Sequence, residues 1–390
     1  MNVVDVLLLV VVAAAAVQGL RLGAVLQVLS FGGFLIGLFV GALLASVTVR
    51  WAHSEMGRTF VSLATMLGVA VAFGIVGRLI GAQLFKRLHR SRLGSIDSVL
   101  GVVIAVVASL LAVWLVASTL VNSSYVTLSG SIADSRIIRS LDRVLPPPPS
   151  VFSQVQGFLS AEGFPLVFAQ LAPASAGPVT VAGSPQVQAV ATSAGPSTLK
   201  IIGQGCGDIQ EGSGFVVAPG VVVTNAHVVA GVAHPMVQDA AGTHQTTVAL
   251  FDPSYDLAVL RGQGLHDPSL ALDPNVVSRG VVAAVLGYPG GGPFTAVPAG
   301  VMATFEAQGR DIYGRGLTVR DVYEIQAVVR PGNSGGPLVA LDGQVIGVVF
   351  SRSTTNGDVG YALASSGVLS RVQSAENATI TVGTGACVGN

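Results

Sequence analysis

Residues 330–338 read Arg330-Pro331-Gly332-Asn333-Ser334-Gly335-Gly336-Pro337-Leu338, a serine set among glycines immediately before an apolar strand. A nucleophilic serine needs this setting. Glycine lets the backbone take a tight turn that exposes the hydroxyl, and it leaves room for an acyl group to approach. The same turn aims the N–H groups of Gly332 and Ser334 at one spot, where a developing oxyanion could be held. A lone Gly-x-Ser-Gly is more often a β-turn with a surface serine, so its company decides the reading.

Two further segments supply that company. Thr224-Asn225-Ala226-His227-Val228-Val229 places a histidine directly after the apolar run Val221 to Thr224, where it can aim into a cleft. Ser254-Tyr255-Asp256-Leu257-Ala258-Val259-Leu260 puts a carboxylate at the head of a strand, from which an aspartate can orient an imidazole. Asp252, Asp267 and Asp273 compete with Asp256, but each precedes a proline and reads as a turn residue. His234, His244 and His266 are too scattered for a metal site, and no cofactor motif is present. The glycine run Leu286 to Pro293 lacks the following helix and lysine of a phosphate cradle, and reads as a surface loop of a β-domain.

From about residue 200 the chain is a series of short β-branched runs punctuated by glycine, the rhythm of an antiparallel barrel or sandwich. Upstream the texture differs. The first 121 positions hold eleven Asp, Glu, Lys or Arg, most of them at three breaks. The breaks separate four apolar spans, approximately Val4 to Leu20, Ala24 to Val49, Phe60 to Phe85 and Ser98 to Val121, each near the ~20 residues that cross a bilayer. Gly33, Gly37, Gly41, Gly68 and Gly74 would let such helices approach closely. Lys86, Arg87, Arg90 and Arg92, with Arg21, mark two cytoplasmic loops, so both termini face outward. Apolar positions between 129 and 144 suggest one amphipathic helix near the membrane surface. Pro146 to Pro149 and the Ala/Pro/Ser/Gly-rich stretch Ala172 to Ser197 read as a mobile linker.

Composition agrees with this division. Hydrophobic residues are 51% and charged residues 10%, which argues against a wholly soluble chain. Lys+Arg 20 against Asp+Glu 20 leaves a net charge of +0, without the basic excess that nucleic acid demands. Cys206 and Cys387 fit either one disulfide or two unrelated thiols. Their places near the two ends of the β-domain, in an oxidising compartment, favour the bond.

The order His227, Asp256, Ser334, in those three contexts, resembles the chymotrypsin-fold serine proteases, and most closely their bacterial trypsin-like branch. The resemblance covers residues 200–390 and implies two six-stranded barrels with a triad between them. The four spans resemble the colicin V production (CvpA) type membrane domain. Together with the tether and the bracketing cysteines, the chain resembles the actinobacterial membrane-bound acid-resistance proteases of MarP type. That family implies a periplasm-facing protease of the inner membrane, acting on envelope proteins under acid and oxidative stress.

The expected organisation is therefore a membrane domain over 1–121, an amphipathic helix and linker over 122–199, and an all-β double barrel over 200–390, with barrels near 200–275 and 280–385. His227, Asp256 and Ser334 are the expected triad, and Gly332 and Ser334 the oxyanion donors. The family places the floor of its primary pocket six residues before the nucleophile, here Val328, with Val329, Phe350, Ser351 and Arg352 as walls. A floor without a carboxylate predicts cleavage after uncharged residues. Self-cleavage is expected in the linker. The alternative is a transport or channel-like membrane protein with an inactive barrel domain, but a transporter would place more ionisable groups in its spans.

Overall fold

The computed structural model describes residues 2–48, 55–88, 94–121, 126–146, 167–168, 175–376, 378 and 380–388. The chain divides into two compact units, Met1–Leu115 and Val116–Asn390.

The first unit is built from α1 (Val3–Thr48), α2 (Glu55–Leu88) and the start of α3 (Gly94–Leu120). Among the described residues three helices are long and apolar enough to cross a membrane, where the sequence suggests four spans. The difference lies in α1, which contains the first two expected spans and breaks at Gly23 (φ 67, ψ 167). Only glycine adopts that φ freely, and a Cβ there would collide with the Asp97 carboxylate. Asp97 Oδ1 accepts the Val25 N–H at 2.9 Å, which caps the helical segment after the break. Gln27 Nε2 donates to Gly101 O at 3.0 Å, while Gly19 packs on the same carbonyl. Leu7, Val10, Phe31, Phe39, Leu79 and Val103 remain exposed, an apolar surface suited to lipid rather than water. Gly33 and Gly37 face the backbone of Phe73 and Ala70 so closely that a Cβ would clash, whereas Gly68 faces open space.

In the second unit the expected single amphipathic helix is two, α4 (Val126–Ala133) and α5 (Arg136–Val144). Ser135 divides them by acting as N-cap of α5, its hydroxyl accepting the Ile138 N–H at 3.3 Å. The expected mobile linker is also corrected. Ser175 Oγ donates to Glu324 Oε1 at 2.6 Å, the Ala176 N–H to Glu324 Oε2 at 3.1 Å, and the Val179 N–H to Gln326 Oε1 at 2.7 Å. Residues Ser184–Ala194 then form α6, burying Val187, Val190 and Ala194. These three positions are a helical stripe, and Pro185 in the first turn pre-sets its start. Composition concealed both features, and residues 147–149 and 172–174 of the expected linker lie outside the described ones.

Twelve strands follow: β1 (Thr198–Gly205), β2 (Asp208–Ala218), β3 (Val221–Thr224), β4 (Met236–Gln238), β5 (Thr243–Asp252), β6 (Leu257–Gly262), β7 (Val282–Gly287), β8 (Thr295–Arg310), β9 (Leu317–Gln326), β10 (Pro337–Ala340), β11 (Val345–Arg352) and β12 (Val359–Ala364). They close into two six-stranded antiparallel barrels, in the orders β1-β2-β3-β6-β5-β4 and β10-β11-β12-β9-β8-β7. β3, β7, β10 and β12 are almost continuously apolar because both of their faces are covered. Leu199, Val222, Ala258 and Leu260 fill the interior of the first barrel. Their alternate neighbours Val221, Val223, Leu257 and Val259 join Ala284, Leu286, Val348 and Phe350 in a core shared with the second. Removing water from such side chains is worth about 1.5–3 kcal/mol each, which fixes the barrels against one another.

The strands were expected to continue to about residue 385. They end at Ala364, and α8 (Ser365–Glu376) follows, with Val368, Val372 and Ala375 buried on one face. The tail then runs along the first barrel, the Val382 N–H donating to Val248 O and the Gly231 N–H to Thr384 O. Cys206 and Cys387 are joined by a disulfide across a sequence separation of 181. The bonded C-terminal segment is thus an irregular tail, not the strand that was expected.

Candidate active site

His227 lies in α7 (Ala226–Val229), a single turn that starts where β3 ends. Its Nδ1 is 2.8 Å from Asp256 Oδ2 and 3.0 Å from Oδ1, and its backbone N–H donates to Oδ1 at 2.9 Å. Asp256 is 0% exposed and sits at φ +62, just before β6. A left-handed aspartate is uncommon, and here Asn225 Nδ2 fixes it by donating to Asp256 O at 2.9 Å. A buried carboxylate bonded in this way keeps the Nδ1–H tautomer and leaves Nε2 free to accept a proton.

Arg320 of β9 reaches the same corner from the second barrel. It is buried, and its Nε donates to Ser254 O at 2.9 Å and its Nη2 to Arg310 O at 2.7 Å. Burial pulls the guanidinium pKa down, and the negative charges of Asp256 and Asp252 push it back up.

Ser334 is buried at the turn before β10, directly against the histidine motif. A Cβ at Gly335 would stand 3.1 Å from Asn225 N, and one at Gly212 would stand 2.6 Å from Val228 Cγ1 and 3.3 Å from Ser334 O. The two motifs therefore meet where the barrels face each other. Among the described residues no hydrogen bond joins Ser334 Oγ to the imidazole, and such bonds commonly tighten only once substrate is bound.

Around Ser334 the backbone donors divide cleanly. The N–H groups of Asn333, Gly335 and Gly336 are taken by Arg330 O, Val349 O and Asn333 O. Those of Gly332 and Ser334 donate to no protein acceptor among the described residues. The Pro331 carbonyl is held by the Gly290 N–H at 2.6 Å, which turns the Gly332 N–H of that trans peptide to the opposite side. Two unpaired donors on one turn beside a buried serine can hold an oxyanion.

The comparisons bear on this arrangement directly. Residues 212–348 match the trypsin-like peptidase domain and residues 4–146 the colicin V production protein family. Serine protease Rv3671c of Mycobacterium tuberculosis (strain ATCC 25618 / H37Rv) is 36% identical over 393 residues, covering 98% of both chains. The chain belongs to the Rv3671c family of serine proteases. The crystal structure of the Rv3671c protease in its active form is similar at 40% identity and a TM-score of 0.54, over 56% of this chain and 97% of that one. Mitochondrial serine protease HTRA2 of Bos taurus is 38% identical over 163 residues, 40% of this chain and 34% of its own. This member of the Rv3671c family is a serine endopeptidase with a membrane-helical N-terminal domain.

In this Rv3671c-type protease the expected pocket residues separate. Val328 is 42% exposed, so it does not form an enclosed floor. Val329 is buried against Gly360. Phe350 points into the core shared by the barrels, Ser351 is buried, and Arg352 is half-buried at the end of β11. The glycine run read as a surface loop is one, joining β7 to β8, and it also braces the Pro331 peptide. Its signal was its adjacency to the end of β7, which no spacing rule exposes. Ser213, which contacts the Ser334 turn from β2, was also missed, although Gly212-Ser213-Gly214 is a conspicuous triplet of small residues.

Proposed function

We propose that this chain is a membrane-anchored, extracytoplasmic endopeptidase that cleaves cell-envelope proteins by acyl transfer through Ser334. His227 takes the Ser334 proton as Oγ attacks the scissile carbonyl, and returns it to the leaving amine. Asp256 holds the imidazole tautomer, and the Gly332 and Ser334 N–H groups receive the oxyanion. Water then repeats the sequence on the acyl-enzyme, releasing the second product and restoring the serine. The observation that carries this reading is the His227–Asp256 pair, with Nδ1 2.8 Å from a carboxylate that has no exposure to water.

We further propose that the membrane domain spans four times. The break at Gly23, capped by Asp97, supports separating α1 into two spans. The basic loop at 86–92 then lies in the cytoplasm and the protease outside the inner membrane. A role in acid and oxidative stress follows from the family resemblance. Self-processing loses its support within 175–197, where the chain is hydrogen-bonded to Glu324 and Gln326 and then helical, so we place any such cut N-terminal of residue 175. The alternative of a transporter with an inactive barrel has no observation in its favour.

Comparing envelope proteins by N-terminal peptide mapping between cells with intact protein and cells with Ser334→Ala tests the proposal. New N-termini present only with the intact protein are the expected result. Identical maps for the two strains, with and without stress, would overturn the envelope-substrate reading.

A further inference from the structure

Ser213 lies in β2 of the first barrel and is wholly buried, with no part in the triad. It nevertheless touches the Gly332–Ser334 turn of the second barrel at two points. Its N–H donates to Ser334 O at 2.8 Å, and its hydroxyl donates to Gly332 O at 2.6 Å. The same hydroxyl accepts the Tyr288 N–H at 2.9 Å, and the Ser213 carbonyl accepts Thr224 Oγ1 at 2.7 Å. A hydroxyl has one proton to donate, and here that proton is committed to Gly332.

The consequence follows from which peptides these bonds hold. Gly332 O belongs to the peptide leading into Asn333, on one side of the first oxyanion donor. Tyr288 opens the turn Tyr288–Gly292, whose Gly290 N–H holds Pro331 O on the other side. One side chain is thus bonded, directly or through one turn, to both peptides flanking Gly332. Lys200 of β1 braces the same turn, Nζ donating to Gly291 O at 2.5 Å while paired with Glu211 Oε1 at 2.7 Å. Ser213 and Lys200 both come from the first barrel, whereas the Tyr288–Gly292 turn and the donors it orients sit on the second.

We propose that Ser213 is a positioning residue for the oxyanion site, so that docking of the first barrel sets the orientation of donors carried by the second. The inference rests on the proposed role of Ser334. Alanine at 213 would leave the half-buried Gly332 carbonyl and the Tyr288 N–H without their partner, and the Gly332 peptide free to turn. The loss should fall on the charge that develops in the transition state, not on binding of the ground-state peptide.

The test uses the full chain in detergent, with a peptide substrate and a peptide boronate as the tetrahedral probe, on Ser213→Ala, Lys200→Met and Ser334→Ala. For Ser213→Ala, kcat should fall by about 10²-fold, as on loss of one oxyanion donor, with KM within about twofold. Boronate affinity should weaken in step with kcat/KM. Lys200→Met should move the same quantities in the same direction by about tenfold or less. A raised KM at unchanged kcat, or a lowered kcat with undiminished boronate affinity, would overturn the proposal. Where Ser213→Ala fails to form its disulfide or to melt cooperatively, Lys200→Met decides, and wild-type kcat and boronate affinity in that variant would refute it. Full hydrolysis by Ser334→Ala would instead refute the protease mechanism, leaving the two failures distinguishable.

Discussion

The Gly290 N–H donates to the Pro331 carbonyl at 2.6 Å, and this bond decides which way the Gly332 N–H faces. Gly332 meets the constraint at φ +92, where a Cβ would stand 2.7 Å from Gly290 N. The glycine is therefore required twice, for its backbone angle and for the close approach of the bracing turn. Gly332→Ala should lower kcat by about 10²–10³-fold while leaving the disulfide intact. Steady-state kinetics on a peptide substrate, with intact-mass analysis of the same sample, check this, and an alanine variant of normal kcat would contradict it.

The positions expected to form the primary pocket, Val328, Val329 and Ser351, carry no carboxylate of their own. Burying an unpaired lysine or arginine costs several kcal/mol, so cuts after uncharged residues should exceed cuts after basic ones by about 10²-fold or more. Val328→Asp should narrow that ratio by introducing a partner at the expected pocket. A peptide library read by mass spectrometry gives both numbers. Dominant cleavage after Arg or Lys by the unaltered protein would refute the assignment.

The Cys206–Cys387 bond closes a span of 181 residues. Cross-linking a loop of that size is worth roughly 5 kcal/mol in the chain-entropy model, an upper figure for a bond whose tail also packs on Val248 and Gly231. Reduction, or Cys387→Ser, should lower the melting temperature by on the order of 10 °C. Differential scanning calorimetry with and without reductant measures it. An unchanged melting temperature would show that the tail is held by its hydrogen bonds alone.

Asp267 offers a pH test of stability. Its pKa is raised by burial first, and then by the neighbouring charge of Asp239 and the hydrogen bond between the two carboxyls. For Asp239, burial pushes up, but the N–H groups of Gly242 and Ala241 and the His244 ring together hold it below the ordinary value. A carboxyl raised on folding favours its protonated form in the native state. Asp267 therefore costs stability above its folded pKa and nothing below its unfolded one, near 3.9. Asp267→Asn should melt higher than wild type at pH 7 and converge with it by about pH 4. A variant melting lower at pH 7 would contradict the assigned direction.

Much of this was legible in the sequence because its signals are local. Strand β3 followed by His227, Asp256 preceding β6, and the glycines around Ser334 each carry their reading within a few residues. What stayed hidden depends on distant partners. Glu324 and Gln326 tie down residues 175–179 from some 150 positions away, so an Ala/Pro-rich stretch that reads as mobile is docked. The Val187, Val190, Ala194 stripe of α6 was present, but low-complexity neighbours obscured it. At Gly23 a single glycine between two apolar runs did not show how the break would be capped, because its partner Asp97 lies in another helix. Ser213 shows the same limit at the site itself, since nothing near β2 announces Gly332.

The measurement that bears most directly on the central claim is active-site titration of the full chain in detergent with a fluorophosphonate, followed by tryptic mapping of the adduct. Stoichiometric labelling at Ser334, lost in Ser334→Ala and slowed by about 10³-fold or more in His227→Ala, is the result expected of a serine activated by His227 and Asp256. Labelling at another residue, or peptide hydrolysis at the wild-type rate by Ser334→Ala, would contradict it.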